Sequence, residues 1–187
     1  RLAIREEPVQ ANEEASFVVP GKTLNEVTKL LSDSEEETLS LVVGRRHILF
    51  KIGNYTVISR LLEGEFLDYK AAIPSASSTE VLVNTRSFIE SVERVSLLIT
   101  DRLKSPVRCL FEDNEIKLSC STSMGRANDQ FEAQITGGNV EIGFNNRYLL
   151  DALRNAEGDE VKVMKVLPRE GNAFLFLVLP VRLKSDS

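Results

Sequence analysis

Few residues in this chain could carry out catalysis. The sequence of 187 residues has a single His, His47, and two Cys, Cys109 and Cys120. These three residues cannot complete a four-ligand zinc site without carboxylates, and they do not supply a nucleophile paired with an oriented base. We therefore predict a structural role for His47 and no metal or cofactor. The Cys residues are expected to be buried thiols in the reducing cytoplasm, with a disulfide between them as the alternative.

One short motif resembles part of a nucleotide-binding loop. Pro20-Gly21-Lys22-Thr23 follows a predicted strand and opens a predicted helix, as the end of a phosphate-binding loop does. That loop also needs a Gly five residues before Gly21, and this position is Ser16. The motif is interpreted as a helix start, and a nucleotide-binding enzyme that uses it is kept as an alternative.

The charge and hydropathy of the chain argue against binding to nucleic acid through overall positive charge and against a membrane-spanning segment. With 28 acidic and 23 basic residues the chain carries a net charge of -5, so any contact with nucleic acid must use a local patch. No apolar run is long enough to span a membrane. The chain begins at Arg1 without Met or a signal-peptide pattern, and we expect it to be part of a longer protein.

A pattern of strand, helix and further strands recurs three times, which predicts an α+β fold. Each predicted helix begins with a basic residue, an apolar residue two positions later and an acidic residue after two more. The three helix starts are Lys22–Glu26, Arg86–Glu90 and Arg147–Asp151.

The number of these units is odd, which suggests that one domain built from two units is incomplete. If two units form a domain, residues 1–74 are the rear half of one domain and residues 75–187 are a complete one. The stretch Pro74-Ser75-Ala76-Ser77-Ser78 has the composition of a linker, which supports a boundary there.

Pairs of cations recur at helical spacing on each predicted helix, near one face and opposite the apolar stripe. If the helices cover one side of a layered protein, these cations share a surface that could contact phosphates. The alternative is a solvated face with intrahelical ion pairs. The six residues are Lys22, Lys29, Arg86, Arg94, Arg147 and Arg154.

The C-terminal stretch Phe174–Leu183 is almost entirely apolar. A strand buried on both faces explains its first part. It does not explain Leu179-Pro180-Val181, because Pro cannot donate to a strand ladder. Core burial and a partner-binding surface are both open interpretations of this end.

Several stretches together resemble the bacterial sliding-clamp family, the beta subunit of DNA polymerase III, in its C-terminal half. The resemblance implies the DNA-clamp fold, in which repeated strand–helix–strands units place antiparallel sheets outside and helices on one face. The matching stretches are Arg1–Ala3, Phe17–Lys22, Leu62–Tyr69, Arg94–Leu98, Val140–Asn145 and Leu177–Leu183.

The resemblance implies a non-catalytic, cytoplasmic processivity factor. Members of the family form a ring homodimer around duplex DNA, are placed there by a clamp loader, and tether the polymerase and other clamp-binding proteins through short motifs. It assigns the six helix cations to the DNA-facing surface. An interaction scaffold without a DNA role is a further alternative.

The resemblance also implies two contact surfaces. A hydrophobic peptide groove is expected at Arg1, Leu2, Leu67, Ala71, Ala72, Leu177, Leu179, Pro180, Val181 and Arg182. The subunit interface is expected at Leu97, Leu98, Arg126 and Phe131. Ala71 and Ala72 are smaller than the residues some members carry, and the hairpin across 161–174 is shorter than the repeat predicts, so both alter the expected groove.

Overall fold

The computed structural model describes residues 1–31, 38–74, 77–100, 105–163, 167–168 and 174–183. The chain divides into two compact units. The smaller unit is Val9–Asp68, and the larger combines Arg1–Pro8 with Tyr69–Ser187. In chain order the elements are β1 Leu2–Arg5, α1 Gly21–Leu30, β2 Leu39–Val43, β3 His47–Ile52, β4 Tyr55–Arg60, a short 3-10 helix Lys70–Ala72, β5 Thr79–Asn84, α2 Thr85–Ser96, β6 Val107–Glu112, β7 Glu115–Thr122, β8 Gly125–Glu132, β9 Gln134–Gly137, β10 Val140–Phe144, α3 Asn146–Arg154, β11 Glu160–Val163, β12 Leu167–Pro168 and β13 Phe174–Leu177.

The smaller unit packs α1 on the antiparallel sheet β2-β3-β4. Alternation along β3 sends Ile48, Phe50 and Ile52 to one face, where they form a core with Val27 of α1. The strand that the sequence predicts directly before α1, over residues 15–20, is reduced to a single bridge between Val18 and Leu62.

The larger unit contains two half-repeats that share their sheets. One sheet has the order β10-β6-β7-β8, and the other has the order β12-β11-β5-β9; all of these pairs are antiparallel. Strands from the first half-repeat therefore pair with strands from the second in both sheets. A separate two-stranded sheet joins β1 to β13.

Helices α2 and α3 begin where the sequence repeat predicts, and each has an Asn cap. The side chain of Asn84 accepts a hydrogen bond from the Ser87 amide at 2.9 Å, and that of Asn145 accepts one from the Tyr148 amide at 3.2 Å. The apolar faces of the two helices close over the core of the larger unit, with Phe88, Val92, Val95, Leu149 and Leu153 buried.

The segment Phe131–Ile135, whose apolar alternation predicts one strand, is in fact divided between two sheets. Strand β8 ends at Glu132, and β9 starts at Gln134 and pairs with β5. Asn114 holds the crossing, because its backbone carbonyl accepts from the Ala133 amide at 2.9 Å and its side chain accepts from the Ile135 amide at 3.1 Å. The chain can therefore change sheets without losing these hydrogen bonds.

The two Cys residues are confirmed as buried free thiols, Cys109 on β6 and Cys120 on β7. Burial raises the pKa of both thiols, so they stay protonated and unreactive. Within the described part of the chain, no group of three or more potential metal ligands forms a candidate site. No helix among the described residues is long and apolar enough to cross a membrane.

Candidate peptide groove, cation faces and subunit contact

An open cleft of about 700 Å³ lies beside the C-terminal end of the larger unit. After β13 the chain leaves its strand and returns to β10, where the Val181 amide donates to the Gly143 carbonyl at 2.7 Å. This turn leaves Leu179 59% and Val181 41% exposed. The cleft is lined by Ile99, Thr100, Ser105, Pro106, Asn145, Asn146, Arg147, Tyr148 and Val181.

Arg1 packs against α3, and this helix supplies one wall of the cleft. Its guanidinium lies over the Tyr148 ring, 4.6 Å from the ring centre, and forms an ion pair with Asp151. The neighbouring Leu2 pairs with Leu177 across β1 and β13. The N-terminal segment therefore places Arg1 and Leu2 in the same unit as the C-terminal turn at Leu179–Val181.

The residues predicted for the groove have different environments. Leu177 is buried on β13, whereas Pro180 and Arg182 are exposed. Ala71 and Ala72 are exposed on the 3-10 helix of the larger unit. Leu67 is 81% exposed and belongs to the smaller unit.

Of the nine described residues that line the cleft, only Val181 was predicted for the groove, and Arg147 was instead assigned to the DNA-facing surface. Tyr148 is 41% exposed and lines the cleft together with Asn145. One sequence feature could have identified Tyr148 as a site residue. It is an aromatic residue on the polar side of a helix start, where the repeat pattern does not require an aromatic residue. The side chain of Asn145 caps α3, so its sequence pattern indicates only a helix boundary.

The six helix cations are all exposed, and most already have acidic partners. Lys29 bonds Glu26 at 2.8 Å, Arg86 bonds Glu90 at 2.8 Å, and Arg154 bonds Glu93 at 2.6 Å. The hydrogen bond and charge of Lys29 lower the pKa of Glu26, and the charge of Lys22 adds to this effect. Exposed pairs of this kind are weak and are screened by salt, so phosphate could replace the acidic partner.

Arg94 differs from the other cations because its partner lies on a strand. Its Nε donates to Asp129 Oδ2 at 2.7 Å, which ties α2 to β8. Partial burial raises the pKa of Asp129, but hydrogen bonds to the carboxylate, including those from Arg94 and the Gln130 amide, outweigh this effect and lower the pKa overall.

The predicted subunit contact lies at one edge of the larger unit. Strand β8 is the last strand of its sheet and packs on α2, and Leu97 directly after α2 is 82% exposed. Leu98 is half-buried and Arg126 is exposed. Phe131 faces inward, where its ring lies 5.5 Å from that of Phe88, so it supports β8 from the core side.

Comparison with protein families gives a decisive match over most of the chain. Residues 1–68 match the central domain of the DNA polymerase III beta subunit, and residues 70–170 match its C-terminal domain. The chain belongs to the DNA polymerase III beta-subunit family. The resemblance predicted from the sequence is thereby confirmed.

Characterised members of the family resemble the chain along almost its whole length. The beta sliding clamp of Bacillus subtilis is 35% identical over 195 residues, which covers 97% of this chain and 51% of the relative. That of Staphylococcus epidermidis is 32% identical over 194 residues, with the same coverage. The chain thus spans about half the length of these beta sliding clamps.

Solved structures of the family confirm the fold. The B. subtilis sliding clamp superposes with a TM-score of 0.90 at 31% identity, covering 97% of this chain and 51% of that one. The beta subunit of Eubacterium rectale also gives 0.90 at 30% identity, covering 96% and 51%. A Bartonella birtlesii sliding clamp solved with bound griselimycin gives 0.83 at 31% identity, covering 89% and 47%.

The beta-subunit fold also accounts for the motif that resembled a nucleotide-binding loop. Gly21 opens α1 directly after Pro20. The Thr23 hydroxyl, which would face a magnesium ion in a phosphate-binding loop, shares a hydrogen bond with the Ser59 hydroxyl at 2.7 Å. This segment therefore serves to attach α1 to β4.

Proposed function

We propose that this chain forms part of a sliding clamp, a non-catalytic processivity factor that acts as a ring homodimer in the cytoplasm. The ring encircles duplex DNA without reading its sequence and is placed there by a clamp loader. Replicative polymerase and other clamp-binding proteins attach through short linear motifs. The observation that carries the proposal is the exposed apolar turn at Leu179–Val181 beside a cleft walled by Tyr148.

The cleft has the properties expected of a peptide-binding site. It combines an exposed aromatic residue, exposed apolar residues and the backbone of a helix start, so it can bury apolar side chains and still orient polar ones. The stacked Arg1 adds a cation next to Tyr148. A short motif containing Gln, Leu and Phe satisfies these requirements.

The helix cations support the DNA role. Each of the six lies on α1, α2 or α3, and none is buried. Lys29, Arg86 and Arg154 each have a weak surface ion pair that phosphate can replace, which favours loose, sequence-independent contact with DNA. Reversal of all six charges in the full-length protein should abolish salt-sensitive retention on DNA. Unchanged retention would favour a protein-interaction scaffold without a DNA role.

We further propose that residues 1–74 form the rear half of the central domain and that residues 75–187 form the C-terminal domain. The separate family matches to 1–68 and 70–170 support a division in this region. Strand β1 is an exception to a simple division, because it pairs with β13 in the larger unit.

Calorimetric titration of this chain with a Gln-x-x-Leu-Phe peptide tests the groove. We expect binding near the micromolar range, on the order of 8 kcal/mol. Leu179→Asp should weaken binding at least tenfold. Leu97→Asp is the matched control, because it places the same charge at another exposed leucine that does not line the cleft.

The same two variants test the subunit contact in the full-length protein. Leu97→Asp should shift the dimer toward monomer in analytical ultracentrifugation, whereas Leu179→Asp should leave the dimer intact. Equal loss of peptide binding in both variants, or none in either, would contradict the groove. An intact dimer in Leu97→Asp would contradict the proposed interface.

A further inference from the structure

A second cleft lies within the smaller unit, and none of the proposed groove residues or helix cations lines it. Its volume is about 280 Å³, and it lies where the β2–β3 turn meets the end of β4 and the segment before α1. The residues that line it are Ser16, Phe17, Val18, Arg45, Arg46, Arg60, Leu61, Leu62, Glu63 and Gly64.

Backbone hydrogen bonds tie the three segments of this cleft together. The Leu61 amide donates to the Arg46 carbonyl at 2.8 Å, and the Leu62 amide donates to the Val18 carbonyl at 2.9 Å. The turn itself is closed by the Gly44 amide, which donates to the His47 carbonyl at 2.8 Å. Two arginines and Phe17 are therefore brought to one place by the fold of the unit.

The charge of the cleft is positive, in contrast to the chain as a whole. Arg60 donates to Glu63 at 3.0 Å, which leaves the positive charges of Arg45 and Arg46. Within the described part of the chain, neither of these two arginines has an acidic partner. They differ in this from the ion-paired cations of the helices, and they can bind an anion without first losing a partner.

The exposed aromatic residue Phe17 indicates which class of anion the cleft can bind. Its side chain is 37% exposed although it is large and apolar, and it lines the same cleft as the two free arginines. An acidic peptide would use the arginines alone. Single-stranded nucleic acid uses both features, because its phosphates pair with arginine and its bases stack on aromatic rings.

We propose that this cleft binds one nucleotide of single-stranded nucleic acid. Arg45 and Arg46 hold the backbone phosphate, and the base stacks on Phe17. The residues of this site are not among the helix cations proposed to face duplex DNA, and the site does not require a closed ring.

Binding can be measured on the chain itself by fluorescence anisotropy with a labelled short oligothymidylate. The affinity of the wild type should fall as salt rises, because phosphate contacts release counterions. The double variant Arg45→Ser/Arg46→Ser should bind at least tenfold more weakly. The matched control Lys51→Ser/Lys162→Ser removes the same charge from exposed positions outside the cleft and should stay within twofold.

Two further arms test the base contact. The wild type should prefer oligothymidylate to an abasic oligonucleotide of the same length by about tenfold, which is within the range for one stacked base. Phe17→Leu keeps an apolar side chain and should remove this preference, while circular dichroism confirms that the variant is folded.

Four outcomes would overturn the proposal. These are absence of binding by the wild type at low salt, equal weakening in the two double variants, equal affinity for the abasic strand, and displacement of the oligonucleotide by an equal concentration of hexaglutamate. The last two would indicate, respectively, a site for phosphate alone and a site for acidic peptides.

Discussion

Strands β2 and β11 hold the same place in their half-repeats, yet they have different environments. Each is the first strand after a helix. β11 lies between β5 and β12, and its Val161 and Val163 are 0% and 5% exposed. Among the described residues β2 pairs with β3 alone, and its Leu41 and Val43 are 49% and 40% exposed. The same alternating pattern is thus buried only where a second half-repeat supplies the neighbouring strand.

The two cores differ for the same reason. The larger unit buries apolar residues from two helices and two shared sheets, whereas the smaller unit buries only Val27, Ile48, Phe50 and Ile52 among its described residues. Burial is the main source of stability, so the smaller unit should be the less stable of the two. Local sequence therefore determines where the helices and strands form. The number of half-repeats that share sheets determines how large a core they bury.

The largest effect on folding is expected when a charged residue is placed on β11 and compared with the same residue on β2. Val161→Asp buries a carboxylate without a partner and should unfold the larger unit at neutral pH. Leu41→Asp places the same charge on β2 and should leave the chain folded. Amide hydrogen exchange, followed separately for the two units, measures both variants. A folded Val161→Asp, or an unfolded Leu41→Asp, would contradict the difference in burial between the two strands.

A smaller effect is expected at the helix starts, which also differ between the units. Asn84 caps α2, whereas α1 follows Pro20 and has no side-chain cap. Asn84→Ala should lower the free energy of unfolding of the larger unit by about 1 kcal/mol, and Asn84→Ser should restore most of it because serine is also a good cap. Urea denaturation followed by circular dichroism measures the difference. Equal losses in both variants would show that packing at this position, and not the cap, is responsible.

The smallest effect is expected from the ion pair that links α2 to β8. The pKa of Asp129 is lower in the folded chain than its ordinary value of 3.8, so the contribution of this group to stability is present above that value and is lost as pH falls through the folded pKa. Asp129→Asn should therefore be less stable than the wild type at neutral pH, and the difference should vanish in acid. A difference that persists unchanged at low pH would contradict the assignment to ionisation.

Sequence periodicity was sufficient to predict the helices and most of the strands, because each depends on residues close together in the chain. It could not predict that the chain changes sheets at Ala133, because that depends on Asn114 and on the distant strand β5. It also placed Arg94 with the other helix cations, although its partner Asp129 lies 35 residues away.

The site was predicted in part for similar reasons. The apolar turn at Leu179–Val181 was apparent because Pro180 interrupts a strand pattern. Tyr148 was not, because the cleft beside it is completed by residues far away in sequence, namely Ile99, Thr100, Ser105, Pro106 and Val181. The cleft of the smaller unit likewise depends on hydrogen bonds between segments that are far apart in sequence.

Strand β1 has a consequence for dissecting this protein into fragments. Although the central-domain match covers residues 1–68, β1 supplies the antiparallel partner of β13. A recombinant fragment that starts at Tyr69 would expose the apolar edge of β13 and should aggregate. A single proteolytic cut near Asp68 would instead leave the two pieces joined through β1 and β13, so they should co-elute in native chromatography and separate only in denaturant.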